Sequence, residues 1–241
     1  MARTNSSRFR TRLTAALLMA LLPFTASNVR GHGRTSVASS GAVGHPLGDD
    51  ERSRDDVRRL LTQHGGDTYI GEMLTERDSS LARWHDRDGS PLTIWIRPTS
   101  AIPGWDEQYI DDVHAAFEDW DALALPVRFI FSSDSASADV HVTFVDHFDE
   151  PISGRTRWAR DDDWWITDGD IALAVHHRDG LILDDEAMHA MSLHEIGHLL
   201  GLDHTTDPTS IMAPRVRVRA LSAADRATVR LLYTLPPGGV R

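Results

Sequence analysis

His194-Glu195-Ile196-Gly197-His198-Leu199-Leu200-Gly201-Leu202-Asp203-His204 packs three imidazoles, two carboxylates and two glycines into eleven residues. The sequence upstream sets how they are displayed. Asp184 or Asp185 can cap a first helical turn, and the pattern that follows supports a helix through Leu200. Residues four apart on a helix stand one above the other, so His194 and His198 present two ring nitrogens to one point. Ala187 and Ala190, upstream on that face, are too small to fill the space in front of them. Zinc prefers a tetrahedron and needs a third ligand from another direction, which a helix running on past Leu200 would not deliver. Gly201 can take a positive φ without a Cβ penalty, ending the helix and turning the chain back so that His204 reaches the same point. Three neutral histidines leave one position open to water, which separates a catalytic zinc site from a closed structural one.

Glu195, beside the first ligand, is the candidate general base. Zinc brings the pKa of its bound water to about 7, and a neighbouring carboxylate can take that proton and pass it to a leaving amine. The reaction class implied is hydrolysis of a peptide bond at one catalytic zinc ion. With this chain's own residue frequencies the constellation would arise by chance about once in 10⁴ such sequences, so coincidence explains it poorly. Two other readings use the same residues: a non-hydrolytic, zinc-dependent peptide-binding module, and a zinc-sequestering protein drawing on more of the 13 histidines. Glu195 weighs against the binding module, because binding needs no base at that position.

Outward from the motif the pattern stays regular. Leu92 to Arg97 alternates and is stopped by Pro98, which reads as a first strand. Trp105 to Leu123 spaces Ile110, Val113, Ala116, Phe117 and Trp120 by three and four, one apolar stripe of a long helix. Val127 to Phe131, Val140 to Val145, Arg155 to Arg160 and Ile171 to Val175 read as further strands. A helix between the first two strands implies a parallel crossover, hence an α+β (α/β-like) domain with a mixed, twisted sheet covered by long helices.

With the motif in this setting, the sequence resembles the metzincin metallopeptidases, whose signature HExxHxxGxxH is followed by a Met-containing turn. Ser210-Ile211-Met212-Ala213-Pro214 supplies that second part, and the eight residues from His204 to Met212 match the short interval of the matrixin branch. Leu221-Ser222-Ala223-Ala224-Asp225 and Leu232-Tyr233 resemble the start and end of the matrixin C-terminal helix, Ser222 with Asp225 forming a variant capping box. The resemblance implies an endopeptidase on a metzincin zincin fold, with an active-site helix, a Met-turn and a C-terminal helix, and Met212 as an apolar floor under the zinc ligands. It also implies that a peptide substrate adds to the sheet's edge strand. Thr156 to Arg160 is the candidate edge, with Trp158 and Ala159 near the metal, and Pro214, Arg215 and Val216 form one wall of the pocket. Thr205 stands where animal matrixins usually have Ser. His141, His147, His176 and His177 do not show the spacing of the matrixins' second, structural zinc site. Asp161-Asp162-Asp163 offers the hard oxygens that calcium takes, though a solvated loop is the first reading of such a run.

The chain of 241 residues carries 25 basic residues, all arginine, 36 acidic ones and no cysteine, for a net charge of −11. Its 41% hydrophobic content is that of a globular protein. The acidic balance argues against a nucleic-acid surface. The lack of cysteine excludes disulfides and the thiolate that caps zinc in animal matrixin zymogens. Arg3, Arg8, Arg10 and Arg12 precede an apolar run from Leu13 to Phe24, the layout of a signal peptide over residues 1–27 that predicts an exported protein, secreted or periplasmic. The run is too short for a permanent membrane span. Cleavage there takes the net charge from −11 to −15. Residues 28–89 read as a Gly- and Ser-rich linker leading into a small helical extension or pro-segment, with Asp55 to Gln63 and Tyr69 to Trp84 as its helical stretches. If that segment inhibits, a carboxylate or steric cover must do it. Residues 90–241 form the expected catalytic domain.

Overall fold

Alternation of buried and half-exposed residues makes strands of Leu92–Ile96 (β3) and Val140–Val145 (β5) in the computed structural model. It describes residues 49–239 apart from 78 and 88, so the leader over 1–27 and the linker after it, up to residue 48, lie outside the described residues. β3 pairs in parallel with β5 on one side and with Phe129–Phe131 (β4) on the other. The crossover between β3 and β4 is the helix Gln108–Asp121 (α3), whose stripe of Tyr109, Val113, Ala116, Phe117 and Trp120 is buried. β5 in turn pairs in parallel with Trp165–Ala174 (β7), Val140 opposite Gly169 through Val145 opposite Ala174. Gly154–Arg160 (β6) runs antiparallel along the other side of β7 and has no second strand partner among the described residues. The sheet is therefore mixed, with one antiparallel edge. That edge borders the functional motif.

The helix carrying the motif, Asp185–Leu199 (α4), is capped by Asp184, whose side chain accepts the Ala187 N–H. It packs on α3 along one side and on β6 and β7 along another, so its residues are buried nearly all round. Two indoles fix it in place. Trp120 of α3 donates to the Leu193 carbonyl at 3.0 Å, and Trp84 donates to the Leu199 carbonyl at 2.9 Å. The last helix, Ala223–Leu232 (α5), begins with Ser222 and Asp225 in a complete capping box.

The N-terminal part departs from the sequence reading. Asp49–His64 (α1) starts earlier than expected, and Tyr69 to Trp84 is not one helical stretch. Only Ile70–Glu76 (α2) is helical. Ser80–Leu81 (β1) pairs with Gly238–Gly239 (β8), and Arg83–Trp84 (β2) pairs in parallel with Trp165 and Ile166 of β7. The main sheet thus reaches back to Arg83, ahead of the boundary expected at residue 90. A two-residue strand is too short to show a period of its own. Its partner and the burial of Trp84 under α4 define it.

Candidate metal centre and active-site cleft

α4 ends in a Schellman turn built around Gly201. The Gly201 N–H meets the His198 carbonyl at 3.0 Å, and the Leu202 N–H reaches the Gly197 carbonyl at 2.9 Å. Gly201 has φ +98°, and a Cβ there would lie 2.1 Å from the Ala82 carbonyl oxygen, so the turn admits no side chain. Beyond it the chain doubles back and brings His204 to the two histidines of α4. The three Nε2 atoms stand 3.1 Å (His194 to His198), 3.2 Å (His198 to His204) and 3.4 Å (His194 to His204) apart.

The donor set fits a metal ion. His194 Nδ1 lies 2.7 Å from the Ile211 carbonyl and His198 Nδ1 lies 3.0 Å from the Leu202 carbonyl, so each Nδ1 is the donor of a neutral ring and each Nε2 is left with a bare lone pair. Lone pairs pointed at one another repel, and a cation between them removes the conflict. Nitrogen ligands about 2.0–2.1 Å from a tetrahedral zinc stand about 3.3–3.4 Å from each other, close to the separations found here. Among the described residues no other group of three or more histidines and carboxylates converges in this way. His141, His147, His176 and His177 are occupied separately, by Ser135, by Asp146 twice and by Ser153. Asp161 accepts the N–H groups of Asp163 and Trp165 in the β6–β7 turn.

Burial lowers the imidazole pKa of His194 to about 4 and of His198 to about 3, so both are neutral at pH 7. In the unfolded chain they take up protons near pH 6.5. Protons therefore favour the unfolded state as pH falls from 6.5 through 4 and 3. Glu195 acts in the opposite sense, since burial raises its carboxyl to about 7 against 4.5 unfolded, and its contribution to stability grows as pH falls from 7 to 4.5. Below pH 4.5 the histidines act unopposed. Urea midpoints of the zinc-free chain should accordingly fall between pH 4.5 and 3, and less so in His198→Asn. An equal fall in both would contradict the assignment.

Glu195 is 3% exposed, on the face of α4 turned to β6. Its carboxyl lies against Gly154, and the Thr156 hydroxyl stands 2.6 Å from Oε2 and 2.9 Å from the Glu195 carbonyl. Met212 is fully buried with its sulfur against α4, admitted by Gly197: a Cβ there would sit 2.3 Å from the Met212 sulfur. The Met-turn is pinned from α5 by the buried Asp225, which accepts the Ile211 N–H at 3.0 Å, the Ser222 N–H at 2.7 Å and the hydroxyl of Ser210. Because the Ile211 carbonyl receives His194 Nδ1, a single residue, Ile211, links Asp225 to His194.

The three histidines, Glu195, Gly154 and Thr156 line a cleft of about 890 Å³. β6 from Gly154 to Trp158 is part of its lining, and so are Pro214, Arg215 and Val216. Of the residues expected at the substrate edge, Trp158 lines the cleft. Ala159 does not: it is exposed, next to the register shift between Ala159 and Arg160. Sequence reasoning missed Thr156 as partner of Glu195, and Gly197, for which a glycine inside a helical pattern was the available signal.

A mixed sheet with an antiparallel edge, a buried helix giving two imidazoles, a glycine turn giving the third and a methionine packed against Gly197 of that helix are the features of the metzincin fold. The matrixin family model matches residues 83–234, and the chain belongs to that family. It is 24% identical over 178 residues to metalloendoproteinase 1 of Glycine max, covering 65% of this chain and 54% of that protein. Metalloendoproteinase 4-MMP of Arabidopsis thaliana is 28% identical over 208 residues, 76% of this chain and 56% of that protein. Matrix metalloproteinase-16 of Homo sapiens is 36% identical over 87 residues, 35% of this chain and 12% of that protein. The chain thus spans about half, or less, of the length of these curated relatives.

Proposed function

We propose that the protein is an exported zinc-dependent endopeptidase. The observation that carries this reading is the meeting of three imidazole Nε2 atoms and one buried carboxyl group in a single cleft. His194, His198 and His204 would hold the ion, and zinc when bound there supplies a Lewis acid for the scissile carbonyl and acidifies water. Glu195 takes a proton from the attacking water and gives it to the leaving amine, its burial placing it in the range where it can do both near neutral pH. Thr156 holds that carboxyl toward the cleft. The unpaired edge of β6 accepts the substrate backbone as an added strand, and Pro214, Arg215 and Val216 bound the far wall. Export rests on the basic-then-apolar layout of residues 1–27, and no helix among the described residues is long and apolar enough to cross a membrane.

A peptide-binding module on the same fold has no use for Glu195. Burying a carboxyl with no cationic partner in contact costs stability, and a hydrolytic role explains why it is there. The test is an unstructured protein substrate offered to the zinc-loaded and the zinc-stripped chain. Internal fragments from the first and an intact substrate with the second are expected, and an intact substrate with both would overturn the reading.

A further inference from the structure

Of the three histidines, His204 alone lies outside a helix, and a ligand on a loop is only as well placed as the groups that hold the loop. Those groups come from the N-terminal segment. Glu72 of α2 accepts the Thr205 hydroxyl at 3.0 Å and the Thr206 N–H at 2.7 Å, the two residues after His204. Arg77, which caps the end of α2, forms an ion pair with Asp203, the residue before it, and donates to the Gly201 carbonyl at 3.1 Å. The Arg77 guanidinium also lies 5.3 Å from the centre of the Trp158 ring on β6, tying the same loop to the substrate edge.

The helix doing this is itself anchored. Tyr69, Ile70 and Met73 are buried in the main core, the Tyr69 N–H meets the Thr228 hydroxyl at 3.1 Å, and the Tyr69 hydroxyl reaches Asp225 at 3.3 Å. From these contacts we infer that Glu72 and Arg77 are positioning residues for His204, and that residues 69–77 are a working part of the metal centre instead of an inhibitory cover. A cover would direct its carboxylate at the imidazoles. Glu72 spends its carboxyl on Thr205 and Thr206.

The activity consequence rests on the peptidase reading, whereas the metal consequence stands apart from it. In the full chain, Glu72→Ala and Arg77→Ala should each weaken zinc binding by about 10–100-fold, the range for groups that orient metal ligands. Competition against a chelator of known affinity reads this. In Glu72→Ala kcat should fall while KM changes by less than about twofold, because Glu72 is not in the cleft lining and the substrate backbone is served by β6. Glu72→Gln keeps one acceptor and should give a smaller loss; it also carries the test if the alanine variant does not fold. Arg59→Ala, an exposed residue of α1 paired with Asp56, should match wild type. Wild-type zinc affinity in folded Glu72→Ala and Arg77→Ala would overturn the inference. So would a rise in activity, which is what loss of an inhibitory cover produces. The zinc arm decides the matter whether or not the wild type cleaves.

Discussion

Glu195→Gln should lower the cleavage rate by about 10²–10⁴-fold, the contribution of a positioned general base, while leaving zinc content at the wild-type level. Gln has the volume of Glu, can still pair with the Thr156 hydroxyl and sits in the same buried place, so neither the fold nor the three imidazoles lose a contact. What it cannot do is accept a proton. Metal analysis and cleavage must be read on the same sample, because a variant that lost its zinc would also be inactive and would say nothing about the base. A rate within about tenfold of wild type, with zinc in place, would remove Glu195 from the chemistry. Loss of zinc along with activity would instead assign the carboxyl to holding the site together.

Asp225→Ala should give the largest loss of stability of any single change around the site. The carboxyl group is fully buried and serves two peptide N–H groups, of Ile211 and Ser222, and the hydroxyls of Ser210 and Tyr69. Alanine leaves the two peptide donors with no acceptor, and each unsatisfied buried group costs about 1–3 kcal/mol. The Ser222 N–H is the half of the α5 capping box that the Asp225 side chain supplies; the Ser222 hydroxyl still accepts the N–H of residue 225. A total of about 2–6 kcal/mol corresponds to a melting temperature lower by about 5–20 °C in a chain of this size. Asp225→Asn should cost much less, since its oxygen can serve the two N–H groups while the hydroxyls rotate to accept from its amide. Thermal unfolding of the two variants side by side checks this. Equal losses would mean that the pocket needs charge, and no loss in the alanine variant would mean that α5 does not hold the Met-turn.

Much of this was legible because the decisive residues are close in sequence. The Asp184 cap, the four-residue spacing of His194 and His198, the stop at Gly201 and the return to His204 all lie within 21 residues, where helix geometry alone sets the outcome. β5 was legible for a similar reason, its six residues alternating cleanly between two faces. What escaped was set by pairings between distant segments. Thr156 meets Glu195 across 39 residues, and Glu72 meets Thr205 across 133, with nothing local to mark either pair. Tyr69 to Trp84 was misread because Arg83 and Trp84 are extended only through their pairing with β7, while Tyr69, Ile70 and Met73 do have helical spacing and carried the pattern too far.

The most direct test of the whole account is a zinc titration into the metal-stripped chain, with binding and cleavage of an unstructured protein followed together. Activity should rise in step with occupancy and level off at one zinc per chain, at the stoichiometry of a single three-histidine site. A chain that takes up no zinc, or one that fills its site and still leaves the substrate whole, would contradict it.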